Sequence, residues 1–347
     1  FNAGIWKNDN ATDNQAATNY DKKWIPGQWK VPEAYDNPAS NDPWYFSTIR
    51  EANYFLETVV PRFEKGEIEG SEVNIKHYIG EMYFLRAKNY LSKLETFGDF
   101  PIIKNTLPDE SESLIQASKR APRYKVAHFI LEDLDQAISL LTNNISGGKN
   151  RITKNAALLL KSRAALFEAS WLTYHRGTAL VPGGSGWPGK AEDIADFNID
   201  TEIAFFLKEA KEAAKEVIGN AALMQNTAKD CMDETVKTDE DKYKMSNPYF
   251  AQFSANSLEG YSEILLWRAY NLLDYKIVHS APFYIRVGGN TGFTRQYVES
   301  FLCRDGKPIY TTDQYKGDKS LLDVRKNRDL RLQLFLMTPG ETLSPNM

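Results

Sequence analysis

Residues 80–102 read GEMYFLRAKNYLSKLETFGDFPI, and this stretch decides the expected fold. Its apolar residues recur at the spacing of one helix face, and Gly98 follows the last of them. Glycine commonly ends helices because it adopts left-handed backbone that other residues avoid. The stretch therefore predicts a long amphipathic helix that begins near Ile75 and ends at Gly98.

Four further segments outside this stretch show the same helical spacing of apolar residues. Pro61 is expected to end the first helix and Gly219 the fifth, because proline cannot donate a backbone hydrogen bond and glycine favours helix ends. The fourth helix is apolar almost all round, which predicts that it is buried. These four helices are expected to begin at Pro43, at Pro122, after a Thr153 cap, and at Asp200 or Thr201.

The odd-numbered helices begin at residues 43, 122 and 201, so 79 residues separate each start from the next. A repeat of this kind is typical of stacked helical hairpins. The predicted fold is mainly α, with tetratricopeptide-like hairpin repeats, long loops and a few short β-strands. Because the fifth helix has a wide apolar face and no evident partner helix downstream, a partner is expected to be missing from this chain.

Composition excludes several classes of function. The 42 Lys and Arg residues and 46 Asp and Glu residues are interspersed and leave a net charge of −4, so nucleic acid is not an expected partner. No apolar run is long enough to span a membrane. The four His and two Cys residues show no metal-ligand spacing, so we expect neither a metal nor a cofactor.

No catalytic motif is convincing, since the G-x-G-x-x-G match at 184–189 contains Pro188. We therefore expect no enzyme.

Aromatic residues are abundant, with seven Trp, 18 Tyr and 18 Phe. We expect a single domain over 1–347, in which an aromatic N-terminal loop region (1–41) precedes the helical hairpins (42–220) and a loop-rich ligand-side region (221–347). Short strands are predicted at Glu263–Trp267, Phe283–Val287 and Ile309–Thr312.

Loop aromatics present rigid apolar faces with polar edges, which suit sugar rings. Trp6, beside Asn8 and Asn10, and Trp187, among glycines, have that composition. The alternative is that such rings only pin long loops to the helical body.

The sequence resembles the SusD/RagB family of Bacteroidetes surface lipoproteins. Residues 80–102 are similar to its GExxFLRAxxYxxLxxxFGDxPL signature. Weaker resemblances are found at residues 151–164, 305–309 and 327–332, although Leu330 stands where the family usually has proline.

This resemblance implies a tetratricopeptide-like scaffold that is lipid-anchored at the extracellular face of the outer membrane. It also implies binding of an oligosaccharide or polysaccharide and delivery to a SusC-like TonB-dependent transporter. Peptide or glycopeptide binding by the same scaffold and a pure transporter lid remain alternatives. The family's lipidated N-terminal cysteine and its C-terminal helices are expected to be absent from this chain, so the membrane is contacted only through an anchor that the chain does not contain.

By position, the resemblance assigns the first binding pair to Trp6 and Asn10, and later aromatics to Tyr270, Tyr275 or Tyr284. With Trp187 from the composition argument, these six residues form the predicted ligand site. No catalytic or metal-binding residue is predicted.

Overall fold

The computed structural model forms two compact units. The helical unit comprises Ala34–Leu223 and Leu258–Arg268, and the loop-rich unit comprises Phe1–Glu33, Met224–Ser257 and Ala269–Met347. The residues that the structure describes are 9–10, 12–19, 25–28, 44–225, 247–253, 255–274, 276, 291–336 and 338–339.

Six α-helices form the described frame of the helical unit. The long helices pack in chain order, α1 (Ser47–Glu64) on α2 (Glu72–Phe97), α2 on α4 (Arg123–Leu140), α4 on α5 (Lys154–Tyr174) and α5 on α6 (Ile199–Asn220). This arrangement confirms the predicted mainly α fold with helical repeats. The six helices are α1 (Ser47–Glu64), α2 (Glu72–Phe97), α3 (Ser111–Ala117), α4 (Arg123–Leu140), α5 (Lys154–Tyr174) and α6 (Ile199–Asn220).

The core lies where the apolar faces of these helices meet. Ile130 and Leu134 are one turn apart on α4, and both are fully buried. Tyr90 from α2 and Phe206 from α6 are also fully buried in this cluster. Burying a side chain of this kind stabilises a fold by about 1.5–3 kcal/mol, so the shared core, rather than helix propensity, holds the stack together.

The predicted helix stop at Pro61 is wrong. Pro61 lies inside α1, which continues to Glu64. The chain then turns at Gly66, whose φ of +72° is in the left-handed region. Proline has a φ that fits a helix and lacks only its own backbone N–H donor, so one further helical turn can follow Pro61. Gly66 then permits the left-handed backbone at which the chain changes direction.

Two of the predicted strands also prove wrong. Glu263–Trp267 is irregular, and the backbone N–H of Trp267 donates to the Lys149 carbonyl at 3.0 Å. Ile309–Thr311 is a short 3₁₀-helix. The third predicted strand, Phe283–Val287, lies outside the described residues.

The loop-rich unit contains one small antiparallel sheet in its described part. Strand β1 (Gln15–Ala17) pairs with β2 (Thr291–Phe293) in a register that places Gln15 opposite Phe293 and Ala17 opposite Thr291. Arg328 is fully buried here, and its guanidinium donates to the carbonyls of Val298 and Phe301 at 2.8 and 2.6 Å. The elements are β1 (Gln15–Ala17), α7 (Pro248–Ala251), β2 (Thr291–Phe293), α8 (Arg295–Ser300), α9 (Leu321–Arg325) and α10 (Leu330–Phe335).

Gly80 lies where α2 packs closely against the end of α4. A Cβ added there would lie 2.9 Å from Leu141 Cγ and 3.1 Å from Leu140 Cβ. We expect Gly80→Ala to lower the free energy of unfolding, because overpacking costs about 1–3 kcal/mol and the gain in helix propensity returns only about 0.5–1 kcal/mol.

Urea denaturation of Gly80→Ala measures this difference, and Gly219→Ala is the matched control. Gly219 is also helical, but a Cβ there meets nothing within 4 Å. We expect the control variant to be as stable as the parent or slightly more stable. Equal behaviour of the two variants would contradict the close approach at Gly80.

Candidate functional site

Charged residues of the 80–102 stretch hold helices together rather than facing a ligand. The Arg86 guanidinium donates two hydrogen bonds of 2.7 Å to the Asp133 carboxylate and one of 2.8 Å to Asn53 Oδ1. Glu81 pairs with Arg151, whose Nε donates to Glu81 Oε1 at 2.8 Å. Both pairs join α2 to later parts of the chain, so these residues are structural.

Asp99 fastens the loop that carries Trp187. One oxygen, Oδ1, accepts the backbone N–H of Arg123 at 2.8 Å, at the first turn of α4. The other, Oδ2, accepts the indole N–H of Trp187 at 2.8 Å. Trp187 is half-buried, and its ring lies against Gly189. The polar edge of this ring is therefore occupied by the protein, and a ligand role for Trp187 stays a prediction.

The other predicted ligand residues divide between described and undescribed parts of the chain. Asn10 and Tyr270 belong to the loop-rich unit, whereas Trp187 belongs to the helical unit. The Asn10 side-chain oxygen accepts a hydrogen bond from Gln15 Nε2 at 3.0 Å, and the Tyr270 side chain is exposed. The remaining three, Trp6, Tyr275 and Tyr284, lie outside the described residues.

The loop-rich unit contains a polar pocket with a volume of about 680 Å³, which we call the Tyr310 pocket. Tyr310 is 83% exposed, so its ring is open to solvent. The other lining residues supply carboxylate, ammonium, hydroxyl and amide groups. They are Asp305, Lys307, Thr311, Thr312, Asp313, Gln314, Lys316 and Asn327.

Local sequence explains how this pocket forms. Gly306 follows Asp305 with a φ of +77°, which permits a tight turn. The Asp305 carboxylate closes the turn by accepting the Lys307 backbone N–H at 3.1 Å and the Thr312 hydroxyl at 2.7 Å. Pro308 then precedes the 3₁₀-helix that carries Tyr310. The turn and the proline together hold the ring at the surface.

The electrostatics of the pocket favour an ionised Asp305. The hydrogen bond from Thr312 lowers the pKa of this carboxyl below its usual range, and the nearby Lys307 charge lowers it further. An ionised carboxylate accepts hydrogen bonds and donates none. With two acids and two lysines in the lining, the pocket is polar without a strong net charge. It is equipped to hydrogen-bond a polar ligand beside one aromatic face.

Sequence reasoning missed Tyr310 because it interpreted residues 309–312 as a strand. The Asp305-Gly306 turn was visible, and Pro308 directly after it could have indicated a loop. A tyrosine between a proline and two threonines was the available signal.

The described residues contain no group of three or more His, Cys, Asp or Glu side chains that could hold a metal ion. Among the same residues, no helix has the length and apolar character needed to cross a bilayer.

Comparisons with known proteins bear on the chain as a whole. A SusD-like family model, described as starch-binding and associating with the outer membrane, matches residues 2–166. A SusD-like protein of Bacteroides fragilis has a similar structure, with a TM-score of 0.57, 20% identity and coverage of 94% of this chain. A SusD-like carbohydrate binding protein of the same species gives a TM-score of 0.54, 15% identity and 96% coverage.

The chain spans only 55% and 53% of the length of these two relatives. Among curated proteins, none matches it. The family model and the two similar folds agree with the resemblance that residues 80–102 carry. The predicted resemblance to the SusD/RagB family is confirmed, since residues 2–166 match a SusD-like family model and the chain shares the fold of two SusD-like proteins.

Proposed function

We propose that this protein binds glycans without catalysis and delivers them to a SusC-like TonB-dependent transporter at the extracellular face of the outer membrane. The family description names starch binding and association with the outer membrane. One structural relative is called a carbohydrate binding protein. The observation that carries the proposal is the exposed Tyr310 ring within a polar pocket.

The chemistry of this pocket suits a sugar. A pyranose has apolar C–H faces and a rim of hydroxyl groups. The Tyr310 ring offers a flat apolar face, and the surrounding carboxylates, hydroxyls and amides can pair with the rim. Because an open site buries little area, we expect an affinity on the order of 10 μM to 1 mM.

The ionised Asp305 carboxylate favours passive binding. Glycoside hydrolysis usually needs a carboxylic acid whose pKa is raised, so that it can protonate the leaving group. Asp305 has the opposite shift, because the Thr312 hydroxyl and Lys307 stabilise its ionised form. It is therefore suited to accept hydrogen bonds from a ligand, and not to donate a proton.

Replacing Tyr310 with Ala tests the proposal. A glycan array first identifies the ligand, and calorimetry then measures its affinity for the parent and the variants. We expect about tenfold weaker binding by Tyr310→Ala, the equivalent of about 1.4 kcal/mol, because the stacking face is lost. Tyr310→Phe keeps the ring and should bind nearly as the parent does.

Tyr174→Ala is the matched control, since this tyrosine is 84% exposed in the helical unit. It should bind the glycan unchanged. If the array gives no hits and the protein captures peptides, the ligand is a peptide or glycopeptide and the glycan proposal is wrong. If the protein binds neither ligand but co-purifies with a transporter, its function is that of a transporter lid alone.

A further inference from the structure

A second aromatic surface in the loop-rich unit is formed by Tyr249, Phe253 and Phe335, which we call the three-ring platform. The Tyr249 ring centroid lies 5.6 Å from each of the other two, and Phe253 and Phe335 are 6.0 Å apart. The ring planes are nearly perpendicular, at 85° to 89°. Edge-to-face contacts of this kind fix the rings against one another.

Short helical turns place these rings together. Tyr249 lies in α7, which Asn247 caps by accepting the Tyr249 backbone N–H at 3.0 Å, and Phe253 follows two residues after the helix ends. The Phe253 backbone N–H donates to the Phe250 carbonyl at 3.1 Å, and this turn brings the Phe253 ring back against Tyr249. Phe335 ends α10, whose Leu332 and Leu334 side chains are buried. The buried leucines anchor α10 while Phe335 remains outside.

The platform is open to solvent although its rings touch. Tyr249 is 50% exposed, Phe253 70% and Phe335 41%. Single exposed apolar residues are common, but a contiguous group of aromatic rings usually marks a binding surface. The packing of the three rings therefore preserves a contiguous aromatic surface that a ligand can cover.

A polar pair borders the platform. Arg331 precedes Phe335 by one turn of α10, and its guanidinium binds the Asp329 carboxylate through two hydrogen bonds of 3.1 and 2.6 Å. The hydrogen bonds and the charge of Asp329 raise the pKa of Arg331. The pair is ionised at neutral pH, and it carries both donors and acceptors.

We propose that the three-ring platform is a second sugar-binding subsite, on which one ring of the glycan stacks while its hydroxyls pair with Arg331 and Asp329. This inference rests on the proposed function. A sugar uses the apolar rings and the adjacent polar pair at the same time. An apolar protein segment would cover the rings but would leave the donors and acceptors of the pair without new partners.

Two variants of Phe253 distinguish the contribution of a planar aromatic ring to glycan binding from that of an apolar side chain of similar size. Calorimetry with the glycan identified on the array compares Phe253→Tyr and Phe253→Leu with the parent. We expect Phe253→Tyr to bind within about twofold of the parent and Phe253→Leu about tenfold more weakly. A stacked sugar needs the planar face, which leucine lacks. The exposure of Phe253 means that both variants should fold, and thermal unfolding verifies this.

Tyr174→Leu is the control, because it removes an exposed ring from the helical unit. Parent-like glycan affinity in Phe253→Leu would overturn the subsite and leave the proposed function standing, since the parent still binds. If the parent binds no glycan, both proposals fall. If Phe253→Leu abolishes dimer formation or transporter capture and leaves glycan affinity unchanged, the platform docks protein and the inference is wrong.

Discussion

Replacing Arg123 with Met is expected to lower the free energy of unfolding by about 3–5 kcal/mol, because it strands a buried carboxylate. The Arg123 guanidinium donates to both Glu168 oxygens, at 3.0 Å from Nε and 2.8 Å from Nη2. Glu168 is fully inaccessible to solvent and Arg123 nearly so. Water therefore cannot replace the lost partner.

The loss should depend on pH. Burial raises the pKa of Glu168, and the hydrogen bonds and charge of Arg123 oppose this rise. Without Arg123, the pKa of Glu168 in the folded state rises further above its value in the unfolded chain. The folded state then binds a proton at Glu168 more tightly than the unfolded chain does. Stability then falls as pH rises. The deficit of Arg123→Met should be largest near neutral pH and smaller near about pH 5.

Urea denaturation of the parent and Arg123→Met at both pH values measures this effect. The double variant Arg123→Met/Glu168→Leu is the control, since replacing both members of a buried pair by apolar residues is often neutral. It should recover most of the stability and lose the pH dependence. A deficit that persists in the double variant would attribute the loss to packing and not to the stranded charge.

The second large effect is expected at Arg86. Arg86→Met leaves Asp133 buried without its cation and also removes donors from Asn53 Oδ1 and the Lys104 carbonyl. We expect a loss of about 3–5 kcal/mol in the free energy of unfolding. Arg86→Lys keeps the charge but cannot form the planar fork, so it should lose about 1–3 kcal/mol.

Chemical denaturation compares these variants with Lys76→Met on the same helix. Lys76 pairs with Glu72 at 2.6 Å, but water reaches both side chains, which are 43% and 69% exposed. Exposed pairs contribute little because water already solvates both charges. We expect no measurable change in the control. A similarly small effect in Arg86→Met would show that Asp133 finds another partner or is protonated when Arg86 is absent.

The helical frame could be predicted from sequence because its signals are local. The apolar period of residues 80–102 indicates α2, and Thr153 caps α5 as expected by accepting the Ala156 N–H. The apolar run Glu263–Trp267 failed because a short run has the same composition in a strand and in a loop. Its backbone instead meets Lys149, more than a hundred residues away in the chain.

The candidate site was harder to predict, since tertiary contacts decide what each aromatic residue does. Composition alone favoured Trp187, yet its indole N–H is bound by Asp99. Tyr310 was hidden by an incorrect strand prediction. The three-ring platform joins residues from two segments, 249–253 and 335, that no local pattern connects.

The depth of the Arg123–Glu168 pair has a consequence for the environment that the protein can tolerate. Dissolved ions screen the attraction between charges that are exposed to solvent. At an ionic strength of 0.1 M, the attraction between exposed charges is largely screened beyond about 10 Å. Neither member of this pair is within reach of dissolved ions. The electrostatic attraction that joins α4 to α5 should therefore change little with salt concentration.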